Sequence, residues 1–315
     1  MFLNMESTAM HHALSEIPLA LFTTLFPMAI GAFIAIAIAF WFNRFTDEQT
    51  KKIDKLTIIP LILIVVSFLF AMLHLKSPLN AIWIFANLGS SPLSNEILGA
   101  AICTVIVGVY WLLAFLGKLS YGLRRIFLVL VVLAAIAGPI VLGFAYRVPT
   151  IITWASVGPY VYLVGNALLG GVACGIAILH IALGSYEKVV VTKADHADIA
   201  TEVDRETKTH GLNPSAKIAL AVVAALGFAL AIGGAFIHQA DVNSTLTAFV
   251  IGSEHFADIQ LFFWLFFPIG LIALILTLIA VLKDKKLGLV AFIIYFIAVL
   301  SLRLVFYGTY ITVGM

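Results

Sequence analysis

The chain has 315 residues, of which 63% are hydrophobic and only 11% charged, and its mean hydropathy is +1.12. A water-soluble domain runs nearer half apolar and a quarter charged, so that class is excluded. The net charge of +2 is too small to suggest a nucleic-acid partner.

Residues 17–42 form the first long apolar run. It is long for a cleavable signal and follows neither a basic segment nor a twin arginine, so it reads as a retained first span. About 20 apolar residues cross the hydrocarbon core as a helix. Seven more segments meet that length: 56–75, 94–116, 126–146, 160–183, 218–237, 259–282 and 287–310. Short strands of alternating pattern are missing, which excludes a membrane barrel. The expectation is an all-α integral membrane protein of eight transmembrane helices, with residues 1–315 forming a single polytopic membrane domain.

Local signals refine this pattern. Ser91 followed by Pro92 reads as an N-cap and first helical residue, which starts the third helix slightly early. Pro27, Pro139 and Pro268 mark expected kinks or interruptions, because proline removes a backbone donor. Gly171 and Gly175 give the fifth helix a small-residue stripe suited to close packing.

The basic residues are strongly asymmetric. One set of connections holds Arg44, Lys51, Lys52, Lys55, Lys118, Arg124, Arg125, Lys188, Lys193, Arg205, Lys208, Lys217, Lys283, Lys285 and Lys286. The other set holds Lys76 and Arg147, and Arg303 lies within the last span. Cytoplasmic connections carry the excess of Lys and Arg, so both termini are expected outside. Residues 184–217 then form a long polar cytoplasmic loop. Asp195, His196, Asp198 and His210 could be taken for metal ligands there, but a run of mixed charge is more simply a solvated loop with a short surface helix.

Few residues remain that could carry chemistry. Cys103 and Cys174 lie in apolar runs, and two thiols cannot hold an iron–sulfur cluster, which takes about four. Nor is a disulfide between them expected, since buried cysteine behaves as a small apolar residue. Only His74 and His180 fall at span positions, at opposite faces, so no haem is expected. His180 reads as a packed, hydrogen-bonded histidine.

His74 ends the second span, with Lys76 and Pro78 just beyond it. Its imidazole is either a half-wet interfacial ring or a group that exchanges protons near neutral pH. Glu96 lies more than one turn inside the third helix, past the reach of the helix dipole, and so needs a partner or a proton. Ionisable groups at the rim of the hydrocarbon are functional candidates. A histidine and a carboxylate on one side of a membrane suit a carrier that loses protons together with electrons. Arg303, Tyr307 and Tyr310 share a face of the eighth helix. On spacing alone they read as a snorkelling arginine with an interfacial aromatic belt.

The stretches LHLKSPLNA (73–81) and SPLSNEI (91–97) resemble the membrane anchor subunit of the anaerobic dimethyl sulfoxide reductase family, the DmsC family. The tail RLVFYGTYITVGM (303–315) resembles that family's last helix, while the loop at 184–217 is longer than the family pattern. The resemblance implies an anchor in the bacterial or archaeal cytoplasmic (inner) membrane. Such an anchor oxidises menaquinol, a diffusible substrate, and docks an iron–sulfur subunit that feeds a molybdopterin catalytic subunit. It also implies that His74 and Glu96 bind quinol and that Arg303 matches the arginine of the family's last helix; the expected mechanism has His74 and Glu96 transfer the protons while Arg303 and Tyr307 steady the oxidised ring. The partner subunit would meet outer residues including Glu16, Asp241, Glu254 and Asp258. Two rival readings stay open at this point: a quinone-reducing anchor for an external dehydrogenase, and a proton-coupled secondary transporter.

Overall fold

The computed structural model describes residues 6–74, 92–148, 150–184, 211–247 and 250–312. Among these the chain is helical, without a strand and with only the isolated bridges Ile151–Thr312 and Leu246–Ile251. The helices are α1 (Glu6–Ser15), α2 (Ile17–Phe42), α3 (Asp47–Leu56), α4 (Ile58–His74), α5 (Pro92–Phe115) and α6 (Tyr121–Ala145). They continue with α7 (Gly158–Leu183), α8 (Pro214–Ser244), α9 (Gly252–Ala257), α10 (Gln260–Lys283) and α11 (Gly288–Gly308). A 3-10 turn, Ile152–Ala155, precedes α7. Among the described residues, eight helical segments are long and apolar enough to cross a membrane, as the sequence predicts.

A helix that is apolar all round belongs in the middle of a bundle. α2 is such a helix: it is buried from Phe22 to Phe40 and packs against α4, α6, α7, α8 and α11. α7 is the second central helix, and the two meet through small residues. A β-carbon on Gly171 would collide with the backbone of Gly31, and one on Gly165 with that of Gly227 on α8. Without a strong hydrophobic drive between helices in lipid, such close backbone approach supplies much of the packing energy.

Several boundaries differ from expectation. α2, α6 and α10 run on through Pro27, Pro139 and Pro268, so those prolines interrupt no helix. Residues 47–56 form a separate amphipathic helix, α3, whose start is a capping box between Thr46 and Gln49. α5 begins at Pro92, as predicted, with Ser91 outside the described residues. α8 runs to Ser244, two turns beyond the predicted span, and so takes His238 into the bundle. Most of the 184–217 loop, with Asp195, His196, Asp198 and His210, lies outside the described residues. The two cysteines are buried and unpaired with each other, as expected.

Alternation of the spans gives the bundle two faces. The ends of α4, α6, α8 and α11 share one face with α1 and the start of α2, called here the termini face. α1 lies across the end of α11 there.

Candidate functional site

Arg303 is the centre of the termini face. It projects from α11, is fully buried at 0% exposure, and spends its donors on two other helices and its own. Nε donates to Thr23 Oγ1 on α2 at 2.8 Å, and Nη1 to Tyr162 Oη on α7 at 2.6 Å. Nη2 donates to Tyr307 Oη, one turn along α11, at 3.0 Å. Tyr307 in turn donates to Tyr146 Oη, just past the end of α6, at 2.7 Å. The guanidinium lies 4.3 Å from the Phe306 ring centroid and 4.9 Å from that of Tyr307. Among the described residues no carboxylate forms an ion pair with it. Guanidinium does not give up its proton in a protein, so this is a buried positive charge held by hydroxyls and aromatic faces. The snorkelling reading is therefore overturned for Arg303 and Tyr307. Four helices converge here, and together they cover the end of α11 that would otherwise reach the interface.

Tyr310, the third residue of the spacing, does sit at the rim, stacked on His12 of α1 at 5.1 Å between centroids. The 3-10 turn closes the cluster from above. Trp154 Nε1 donates to the carbonyl of Phe306 at 3.1 Å, and Thr153 donates to the carbonyl of Thr309.

His74 ends α4, and its Nδ1 lies 3.0 Å from Glu16 Oε2, with side-chain exposures of 35% and 24%. The two atoms are within ion-pair distance but off the line of a hydrogen bond. Glu16 is the N-cap of α2. It thus faces His74 at the rim of the termini face. Glu16 and Thr23 are seven residues apart on α2, nearly two full turns, so both point the same way and lie about 10 Å apart along the axis. One face of α2 therefore carries both the His74 contact and the Arg303 contact.

Glu96 lies in the second turn of α5, but its side chain is outside the described residues. His180 is corrected in one respect: neither ring nitrogen has a hydrogen-bond partner among the described residues.

His238 was missed. It is 1% exposed, and its Nε2 lies 3.2 Å from Thr309 Oγ1, while Nδ1 has no partner among the described residues. The expectation that only His74 and His180 occupy span positions fails here, because the helix outlasts its apolar run. The sequence signal is the small-residue ladder Gly227, Ala231, Gly234, which continues in register to His238; in the structure a β-carbon on Gly158 of α7 would strike the backbone of His238. On the same face, His255 of α9 donates from Nε2 to the carbonyl of Gly308 at 3.0 Å. Burial pushes its pKa below the usual histidine value, opposed by that carbonyl.

Among the described residues, the opposite face holds a buried ion pair. Arg124 at the start of α6 grips Asp54 of α3 in bidentate fashion, with Nη2 to Oδ2 at 2.7 Å, and Nη1 also reaches Tyr110 Oη at 3.3 Å. This pairing anchors the surface helix to the bundle. No group of metal-ligating side chains occurs among the described residues.

Eight long apolar helices, a buried guanidinium held by hydroxyls, and a histidine–carboxylate contact at one rim define a multi-pass membrane protein with a polar site near one face. The sequence profile of the DMSO reductase anchor subunit (DmsC) family matches residues 10–309, and the chain belongs to that family. It is 31% identical over 170 residues to the C subunit of the anaerobic dimethyl sulfoxide reductase of Haemophilus influenzae, covering 54% of this sequence and 61% of that one. Over 167 residues it is 30% identical to the YnfH subunit of an anaerobic dimethyl sulfoxide reductase of Escherichia coli, covering 53% and 58% respectively. The match thus spans about three fifths of the length of these relatives.

Proposed function

We propose that the chain anchors a molybdopterin reductase complex in the bacterial or archaeal cytoplasmic membrane and oxidises menaquinol at the termini face. The excess of Lys and Arg on the opposite face supports putting the termini face outside. The observation that carries the reading is the shared face of α2, which aligns the His74–Glu16 contact with the buried Arg303. Membership of the anchor family supports it.

In this reading a quinol reaches the rim from the lipid and gives one hydroxyl proton to His74. Glu16 orients the ring from the Nδ1 side, which leaves Nε2 for the substrate. Glu96 takes the second proton and passes it outward. The two electrons go to an external iron–sulfur subunit and on to the molybdopterin subunit, so quinol, two protons and two electrons balance. Arg303 has no open surface from which to touch the ring. It acts as a positioning residue: a fixed positive charge behind Tyr307 and Tyr146, which favours electron density building up on the substrate oxygens. No haem is needed for this path. Protons and electrons leave on the same side, so turnover is electroneutral.

The test is binding of a quinol-analogue inhibitor to the purified complex. The expected result is strong binding to wild type and much weaker binding after His74→Ala and after Glu96→Gln. Unchanged binding in both variants would sink the assignment.

A further inference from the structure

A groove of about 440 Å³ opens toward the lipid between α6, α7 and α8 near the termini face. Ile140, Phe144, Val157 and Leu230 make its walls, and Phe144 and Val157 are among the exposed large apolar side chains of the bundle. Two polar groups line the same groove. Arg147, in the connection after α6, is exposed and forms no ion pair among the described residues. The Tyr160 hydroxyl is buried and has no hydrogen-bond partner among them. The ring of Tyr160 is locked in place, edge-on to Phe144 at 5.0 Å and against Gly143, where a β-carbon would strike it.

These features select the occupant. Walls so apolar reject a free water-soluble anion, yet a cation stands at the rim and an unspent phenol oxygen lies just behind the wall. With Lys76, Arg147 makes up the whole Lys and Arg content of the connections on this face. A prenylated quinol would fill the walls but leave the guanidinium without an anion. We propose that the groove is a structural lipid site for an anionic phospholipid, with one acyl chain along the walls, Arg147 on the phosphodiester and Tyr160 donating to a headgroup or ester oxygen. Arginine suits this role because its planar fork matches phosphate oxygens. The inference stands apart from the quinol reading, since it uses neither His74 nor Arg303.

The experiment is native mass spectrometry of the full-length protein equilibrated with phosphatidylglycerol or phosphatidylcholine of identical acyl chains. Wild type should retain the anionic lipid with about a tenfold preference, the scale of one charge-assisted hydrogen bond. Arg147→Gln should abolish the preference and Arg147→Lys should keep part of it. Tyr160→Phe should weaken retention of both lipids. Two results would overturn the proposal: equal preference in wild type and Arg147→Gln; or displacement of the lipid by a prenylated naphthoquinol. Arg147 is exposed, so its variants test the site without threatening the fold.

Discussion

Thr23 and Arg303 lie 280 residues apart in the chain and meet in the interior through a 2.8 Å hydrogen bond. That bond ties the first span to the last and gives a buried charge one of its few ligands.

Replacing Arg303 with Leu leaves Tyr162, Tyr307 and Thr23 without their donor. Thr23 keeps its bond to the Leu19 carbonyl and Tyr307 its bond to Tyr146, so the loss falls mainly on Tyr162; a buried group left unsatisfied costs about 1–3 kcal/mol, and a drop of a few degrees in the melting temperature of the purified protein is expected. Arg303→Lys should recover little of it, because an ammonium cannot span three directions with one rigid fork. A melting temperature unchanged in Arg303→Leu would show that the cluster carries no stability.

Glu16→Gln keeps the size of the side chain and removes the charge facing His74. On the proposed function, quinol oxidation by the complex should slow on the order of tenfold, against on the order of a hundredfold for His74→Ala, since a positioned base contributes at least that much. If Glu16→Gln reacted at the wild-type rate, Glu16 would have no part in orienting the ring.

Asp54→Asn breaks a pair in which both partners are buried. Removing one partner of a buried pair costs about 3–5 kcal/mol, while replacing both with apolar groups costs far less. The Asp54→Leu, Arg124→Leu double variant should therefore melt higher than Asp54→Asn alone. A double-mutant cycle in thermal denaturation reads this directly, and additive losses would refute the coupling.

His255 gives a pH dependence with a definite sign. Burial lowers its folded pKa, so the unfolded segment binds more protons, and the stability it contributes rises with pH. That contribution is complete above the ordinary histidine value, roughly 6.5, and declines as the pH falls through the lowered folded value. The protection factor of the α9 amides, their exchange rate measured against the intrinsic rate at each pH, should fall on acidification, and His255→Asn should flatten the response. Protection factors in α9 that are equal at acidic and neutral pH in wild type would contradict the assignment.

Much of the molecule was legible before any coordinates. Hydropathy placed every span within a few residues except at α8. There the polar sequence HQADVNS ends the apolar run while the helix continues, because buried His238 finds Thr309 and the outer turns lean on α9. The family resemblance through LHLKSPLNA and SPLSNEI agrees with the profile match. The candidate site was only partly legible. His74 stands out in the sequence, but its contact with Glu16 does not, since nothing in the spacing of positions 16 and 74 says they touch. Arg303 and Tyr307 were identified as a pair along one helix, while Tyr146, Tyr162 and Thr23 went unnoticed among ordinary span residues.

The sequence by itself determined what each segment does against a bilayer: eight apolar runs, a one-sided excess of basic residues, and the rim positions of His74 and Glu96. These follow from transfer energies, which add up residue by residue along the chain. Only the tertiary structure decided that Arg303 is buried and not snorkelling, that Glu16 faces His74, and that one side of α2 serves both. Those outcomes depend on which helices stand next to each other and how each is rotated. That order is set by close approach at small residues such as Gly31 and Gly171, and a one-dimensional hydropathy pattern does not contain it.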